Sequence, residues 1–264
     1  MTMEHGDDRD LGRGLELLWG ERTRPARGRP PGLSLDRIVA AAVEVADGLA
    51  LAEGIEALSM RRVATRLGVG TMSLYRYVPG KSELLDLMLD RVIEALESEL
   101  DQDAERETEA GHGWRELLAT DARGHWRLCM EHPWCPFVDQ GRPLLGPNSL
   151  RGLDRLLGLL RRFGADDRTL MMLLGVQYEF VNAVARSHIN ELRAVARTGV
   201  SSEEFWEQQA PTLEAALNSG AFPTMAGIDE KTFDYSYEQL FEFGLARLHD
   251  GFAPILDTPP RPSS

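Results

Sequence analysis

LSMRRVATRLGVGTMSLYRYVPGK, residues 58–81, is the stretch on which the reading of the chain turns. Ser59 is placed to cap a short helix, its hydroxyl accepting from a free backbone N–H of the first turn. Val63, Ala64 and Leu67 recur at helical spacing and give that helix an apolar stripe. Gly68 follows, a residue that reaches positive φ at little cost and so ends helices. After Val69 and Gly70 a second short helix is predicted over about 71–78, closed by Pro79-Gly80. Two short helices joined by a tight glycine-containing turn make a helix-turn-helix, whose second helix fits a DNA major groove. Thr71, Met72, Ser73, Tyr75, Arg76 and Tyr77 point outward from that helix. Their hydroxyl, aromatic and guanidinium groups suit phosphates and base edges. The rival reading is a helical hairpin packed inside a larger core, for which Tyr75, Arg76 and Tyr77 side by side are poor material.

Charge supports the DNA-facing reading through its distribution. The whole 264-residue chain carries −13, yet residues 22–81 hold ten Arg and Lys against five acids, a net of +5. A basic module on an acidic body presents one face to nucleic acid and repels phosphates elsewhere. Residues 1–21 are acidic, with one possible helical turn at Leu15, Leu17, Leu18 and Trp19, and read either as a docking segment or as a tail. Arg22, Arg24, Arg27 and Arg29 alternate with Pro and Gly, which forbid a helix and make an extended cationic arm. Such an arm either enters a minor groove beside the helix-turn-helix or serves as a solvated linker.

Residues 34 to about 95 resemble the DNA-binding domain of the TetR family of bacterial transcriptional repressors. The resemblance is carried by the SMRRVATRLGVG run, the LYRYV helix and the PGKSELLDLML entry to the next helix. From about residue 112 it is weaker and points to the tetracycline-repressor type of C-terminal domain, through Gly113-Trp114 and a later long apolar helix. The resemblance implies an all-α protein: a three-helix head over 33–82 and a helical ligand-binding and dimerisation body over 83–264, joined by a connecting helix at 83–101. It implies that Thr71, Met72, Ser73, Tyr75, Arg76 and Tyr77 face DNA and that Arg61 reaches base edges. Tyr75 and Lys81 match backbone-phosphate positions. It further implies a homodimer on a palindromic double-stranded operator, released by a small effector. Leu49–Ala52 read as a four-residue insertion relative to the family, about one helical turn.

Beyond the motif the pattern is helical throughout. Ser34 caps a first helix whose Leu35, Ile38, Val39, Ala42, Val45, Ala46 and Leu49 share one face. Leu84, Leu85, Met88, Leu89, Val92, Ile93 and Leu96 stripe the connecting helix, expected to end near residue 101. Body helices are expected over about 114–130, 149–163, 167–197, 202–218 and 232–250. The 167–197 helix is apolar on more than one face, and the last is similar, so each needs a second set of neighbours, expected in a partner subunit. No uncharged apolar run reaches the ~18 residues of a membrane helix. The acidic N-terminus lacks the apolar core of a signal peptide. Two cysteines fit a reducing cytosol, and cytoplasmic residence is expected.

Several side chains invite chemistry. His125, Cys129, His132 and Cys135 offer four zinc-ligand types, but Pro133 interrupts the helix between them, so a metal or redox response is the alternative to a plain helix end. The chain has no Gly-x-Ser-x-Gly elbow, phosphate-binding glycine loop or HExxH, and no enzyme is expected. Nor is a cofactor or resident metal. A protein–protein adaptor with an idle head is the remaining rival. For the effector, His125, Trp134, Gln177, Tyr178, Glu179 and Asn182 are polar or aromatic positions on apolar helices. Tetracycline repressors hold a drug-bound magnesium with a histidine that residues 137–141 lack. A bulky, mostly apolar organic molecule without metal is therefore expected.

Overall fold

The computed structural model describes residues 11–20, 32–107, 113–138 and 144–257. The arm carrying Arg22, Arg24, Arg27 and Arg29 lies outside them, as do residues 139–141 of the stretch that lacks histidine. Among the described residues every regular element is helical. The head comprises α2 (Leu35–Leu49), α3 (Met60–Leu67) and the short α4 (Thr71–Leu74), preceded by α1 (Leu11–Trp19). The connecting helix α5 (Lys81–Glu107) leads to the body. That body holds α6 (Trp114–Glu131), α7 (Pro147–Leu160), α8 (Asp167–Thr198), α9 (Ser202–Asn218), α10 (Pro223–Ala226) and α11 (Tyr237–Leu256).

The caps fall where the sequence puts them. Ser34 Oγ accepts from Arg37 N and Ser59 Oγ from Arg62 N, each at 3.3 Å. Gly68 ends α3 at φ 68°, a left-handed conformation that a side chain would strain. Three boundaries differ from expectation. Helix α4 stops at Leu74, because Tyr77 N and Val78 N both fold back onto Leu74 O in a turn. Helix α5 continues past residue 101 to Glu107, a span without Gly or Pro to break it. Helix α11 starts at Tyr237, where Ser236 and Gln239 close a capping box, and runs through Pro254 to Leu256.

Head and body share one core. Ile38, Ala42, Ala46, Val63, Leu74 and Val78 pack on Leu84 and Met88 of α5, and the cluster continues into Leu128, Trp134 and Cys135 of the body. The junction is polar at its edge. The Oδ1 of Asp47, on α2, accepts from His132 Nδ1 at 2.9 Å and from Trp134 Nε1 at 2.7 Å. Arg193 of α8 donates its Nε to Ala50 O at 2.9 Å. The head is thus held in one orientation by named bonds as well as by α5.

Helix α5 is also pinned to α7. Asp90, 3% exposed, accepts from the backbone N–H of Asn148 and of Ser149, each at 3.1 Å, from Asn148 Nδ2 at 3.0 Å and from Ser149 Oγ at 3.3 Å. The carboxylate caps α7 from outside, where backbone donors lack partners and the helix dipole favours a negative charge.

Of the two readings of residues 1–21, docking segment or tail, the described part, residues 11–20, docks. Helix α1 packs on α5, and Trp19 Nε1 donates to Leu145 O at 2.8 Å.

Two inner faces organise the body. Trp114, Leu118, Leu156, Leu160, Leu170 and Phe252 form one cluster; Trp126, Cys129, Val181, Phe241 and Leu245 form the other. The opposite faces of α8 and α11 leave Met172, Val176, Leu240 and Phe243 exposed. No helix among the described residues is long and apolar enough to cross a membrane.

Candidate DNA interface and effector cluster

The helix-turn-helix presents a continuous outer face. Leu74 and Val78 are fully buried and fix how α4 sits. Met72 is 77% exposed; Tyr75, Arg76 and Tyr77 are exposed, and Thr71 and Ser73 half-buried. The arginines divide by partner. Arg62 forks onto Glu53 at 2.7 and 3.0 Å, and Arg66 onto Glu44 at 2.6 and 3.0 Å. Arg62's guanidinium pKa rises and Glu53's carboxyl pKa falls through their shared hydrogen bonds. Arg61 has no side-chain partner among the described residues. Among the described residues Arg76 meets only the hydroxyl of Ser73, at 3.3 Å. Two guanidinium groups without an acid are therefore left on this face, while their neighbours brace α3 against α2 and its following turn.

Two residues assigned to DNA also hold the fold. Tyr77 donates its hydroxyl to Leu33 O at 2.8 Å, tying the end of α4 to the start of α2. Its proton is committed, so its ring is what it offers outward. Lys81 Nζ donates to Ile55 O at 3.1 Å and Glu56 O at 2.9 Å, and burial lowers its pKa. An ammonium has three donors, so one remains for a phosphate.

We predict that Arg61→Ala and Lys81→Ala differ in kind. Loss of a base contact at Arg61 costs about 1–3 kcal/mol and relaxes the preference at one base pair. Loss at Lys81 weakens all sequences alike and lowers the salt slope by about one. Binding titrations on a matched set of duplexes at several salt concentrations separate them. The same sequence-blind loss in both variants would contradict the role of Arg61.

Only three of the six effector positions come together. His125 Nε2 lies 3.1 Å from Asn182 Oδ1, and the His125 and Tyr178 rings are 4.7 Å apart. Burial pushes the His125 pKa down, partly offset by the Asn182 bond, so the imidazole is neutral at pH 7. With Nε2–H donating to Asn182, Nδ1 is left as an acceptor. Cys129 Sγ sits 3.7 Å from the same ring.

The other three positions lie apart from this group. Trp134 is fully buried in the head–body junction, bonded to Asp47. Gln177 is spent on structure: its amide donates to Leu118 O at 3.0 Å and Asp121 Oδ2 at 3.1 Å, and its Oε1 accepts from His249 Nε2 at 3.0 Å. Burial holds that histidine's pKa down at about 4, which keeps it neutral. Glu179 shares the exposed outer face of α8 with Met172 and Val176. Asp47, Asp90 and Arg193 carry the junctions of the fold without standing out in the sequence, because their partners are backbone atoms and distant side chains.

The zinc arrangement does not assemble. His125 and Cys129 adjoin each other, but His132 turns to Asp47, and Cys135 is buried in the shared head–body core. Among the described residues no group of three or more metal-binding side chains converges. Burial raises the Cys129 thiol pKa to about 12 and pushes Cys135 well above its usual value, so neither supplies a thiolate for redox chemistry.

Comparison with known proteins bears on the family. Residues 38–88 match the family described as bacterial regulatory proteins, tetR family, and residues 107–255 match the tetracyclin repressor-like C-terminal domain. The HTH-type transcriptional repressor DrrR1 of Streptomyces coeruleorubidus is 47% identical over 247 residues, covering 94% of this chain and 87% of that protein. Apo ActR from Streptomyces coelicolor superposes with a TM-score of 0.63 at 28% identity, covering 85% of this chain and 98% of ActR. ActR in complex with actinorhodin gives the same values. With helix-turn-helix, connecting helix and helical body all in place, the chain belongs to the TetR family of bacterial transcriptional regulators.

Proposed function

We propose that the protein is a homodimeric repressor that holds a palindromic operator and releases it when a small organic molecule enters the body. The observation that carries this reading is the pairing of arginines on α3 and in the turn after α4: among the described residues Arg62 and Arg66 are neutralised by acids, whereas Arg61 and Arg76 are not. Thr71, Met72, Ser73 and Tyr75 complete the face that enters the major groove, with Tyr77 contributing its ring and Lys81 its third donor. Arg22, Arg24, Arg27 and Arg29 add minor-groove or flanking phosphate contacts. The dimer forms through the outer faces of α8 and α11, where Met172, Val176, Leu240 and Phe243 await a second copy in a four-helix bundle. Repression is supported by the name of the 47% identical relative. Ligand response is supported by ActR, which has been seen with actinorhodin and with (S)-DNPA.

On this reading the effector binds at His125, Tyr178 and Asn182, where α6 faces α8; the convergence of the three side chains supports it. The His125 ring and its bare Nδ1 offer an aromatic surface and an acceptor, Asn182 an amide, and Tyr178 a partly exposed edge. A mostly apolar ligand oriented by a few polar groups suits such a site, and no metal is needed. Binding there shifts α6 against α8 and, through the Asp47–Trp134 contact, the head. The effector must then bind the DNA-held protein more weakly by the same factor.

The experiment is release of a labelled operator, followed by anisotropy, on titration with actinorhodin and with compounds made or exported by genes beside the operator. Tyr178→Ala and Asn182→Ala are expected to raise the half-release concentration by roughly tenfold, about the worth of one good contact. DNA affinity without ligand should stay nearly unchanged. Equal release curves for wild type and both variants would place the effector elsewhere. Release by a metal chelator alone would replace this reading with the metal-dependent one.

A further inference from the structure

The insertion at Leu49–Ala52 does not lengthen α2 as its size suggests. Glu53 N and Gly54 N both donate back to Leu49 O at 2.9 Å, and Gly54 leaves the turn at φ 80°. The extra residues form a bulge that leans on the C-terminal part of α8. Arg193 clasps it there, through Ala50 O, with its guanidinium 4.4 Å from the centre of the Phe137 ring. Between bulge and helix lies a cleft of about 380 Å³, lined by Leu51, Ala52, Glu53 and Glu56 on the head side and by Asn190, Arg193 and Arg197 on α8. That volume falls within the ~300–1,000 Å³ of small-molecule sites.

The walls of the cleft differ in chemistry. Asn190, Arg193 and Arg197 stand three and four residues apart, on one face of α8. Asn190 and Arg197 are exposed and have no side-chain partner among the described residues. Leu51 and Ala52 give an apolar base. Two acids line the head side, and each faces an arginine: Glu53 lies against Arg62 at 2.7 Å, and Glu56 stands 3.8 Å from Arg193. The open charge of the cleft is therefore the Arg197 guanidinium, beside a free amide.

We propose that this cleft is a second small-molecule site, one that takes an organic carboxylate. The carboxylate lies on the planar fork of Arg197 and on the Asn190 amide, and the apolar part of the ligand rests on Leu51 and Ala52. Asn190 and Arg197 stand about 12–22 Å further along α8 than Asn182, so the site is separate from the effector cluster. An occupant touches head and body at once. Its affinity therefore depends on head orientation, a consequence that rests on the proposed function; binding itself does not.

The test uses deuterated, 15N-labelled full-length protein without DNA, titrated with sodium benzoate and, as neutral counterpart, benzamide. Benzoate is expected to shift the Leu51 and Ala52 amides and the Arg197 side-chain Nε–H saturably, half-way at ~1 mM or below. Benzamide should bind at least roughly tenfold more weakly, having no charge to assist the hydrogen bonds. Arg197→Gln should weaken benzoate by a similar factor and leave the Asn182 amide where it was. Ala52→Trp, which fills the cleft, should abolish the response. The proposal is overturned if benzoate gives no saturable shift, if benzamide matches it, or if Arg197→Gln binds as wild type does. A repressor that failed to find an operator would leave this outcome untouched.

Discussion

Asp90→Ala is expected to lower the free energy of unfolding by on the order of 3–4 kcal/mol, the largest loss from a single polar side chain in this protein. The carboxylate is nearly inaccessible and accepts four hydrogen bonds from Asn148 and Ser149. Alanine leaves the donors of buried Asn148 without partners, those of half-buried Ser149 with water at best, and removes the negative charge from the start of α7. Asp90→Asn is not a neutral replacement. One of its two terminal groups must be an NH2, and Asn148 already turns its own NH2 toward Asp90. Asn148 cannot flip without losing the bond that Arg151 donates to its Oδ1 at 3.0 Å. The measurement is denaturant unfolding at pH 7, where the midpoint should fall with little change in slope. A loss below ~1 kcal/mol would mean that the α5–α7 joint does not depend on this cap.

Asp47→Ala comes next, at about 2–3 kcal/mol, and acts on the head–body junction. Its Oδ1 is the acceptor for both His132 and Trp134. Trp134 is fully enclosed, so once the carboxylate is gone its indole N–H depends on water entering the space that the partly exposed Asp47 vacates. His132 is nearer the surface and recovers part of its loss by hydration. Stability alone would not distinguish a junction from any other buried bond, so the variant carries a second readout. In the proposed function the junction carries effector binding to the head, and on that proposal ligand should release operator less completely from Asp47→Ala than from wild type. A variant that loses stability but keeps the full ligand response would show that the signal travels through α5 alone.

Legibility in the sequence followed the range of the interaction. Ser34, Ser59 and Gly68 were readable because a cap or a left-handed turn is decided within about four residues. The same holds for the helical body and for the outer apolar faces of α8 and α11, which periodicity exposes. The shortness of α4 was not readable, since the turn after Leu74 is held by burial of Val78 and by the Tyr77 hydroxyl reaching Leu33, 44 residues away. Trp134 and Gln177 misled for the same reason. Each is a polar-tipped side chain on an apolar element, which from sequence alone fits a ligand site as well as a buried bond. Their partners, Asp47 and His249, lie 87 and 72 residues away, and nothing local marks the pairing. His125, Tyr178 and Asn182 met because α6 and α8 run side by side in the same direction, Leu118 level with Gln177 and Trp126 with His188. The paired state of Arg62 and Arg66 was equally out of reach, yet it singles out Arg61 and Arg76.

The account stands on the head reading a two-fold symmetric DNA sequence, and selection of genomic fragments by the purified full-length protein tests that most directly. The enriched fragments should share an inverted repeat with half-site centres ~34–36 Å or a multiple apart, one recognition helix to each half-site. Enrichment should collapse for a protein carrying Arg61→Ala and Arg76→Ala together. Fragments enriched without a shared inverted repeat, or the same repeat recovered by the double variant, would contradict the account.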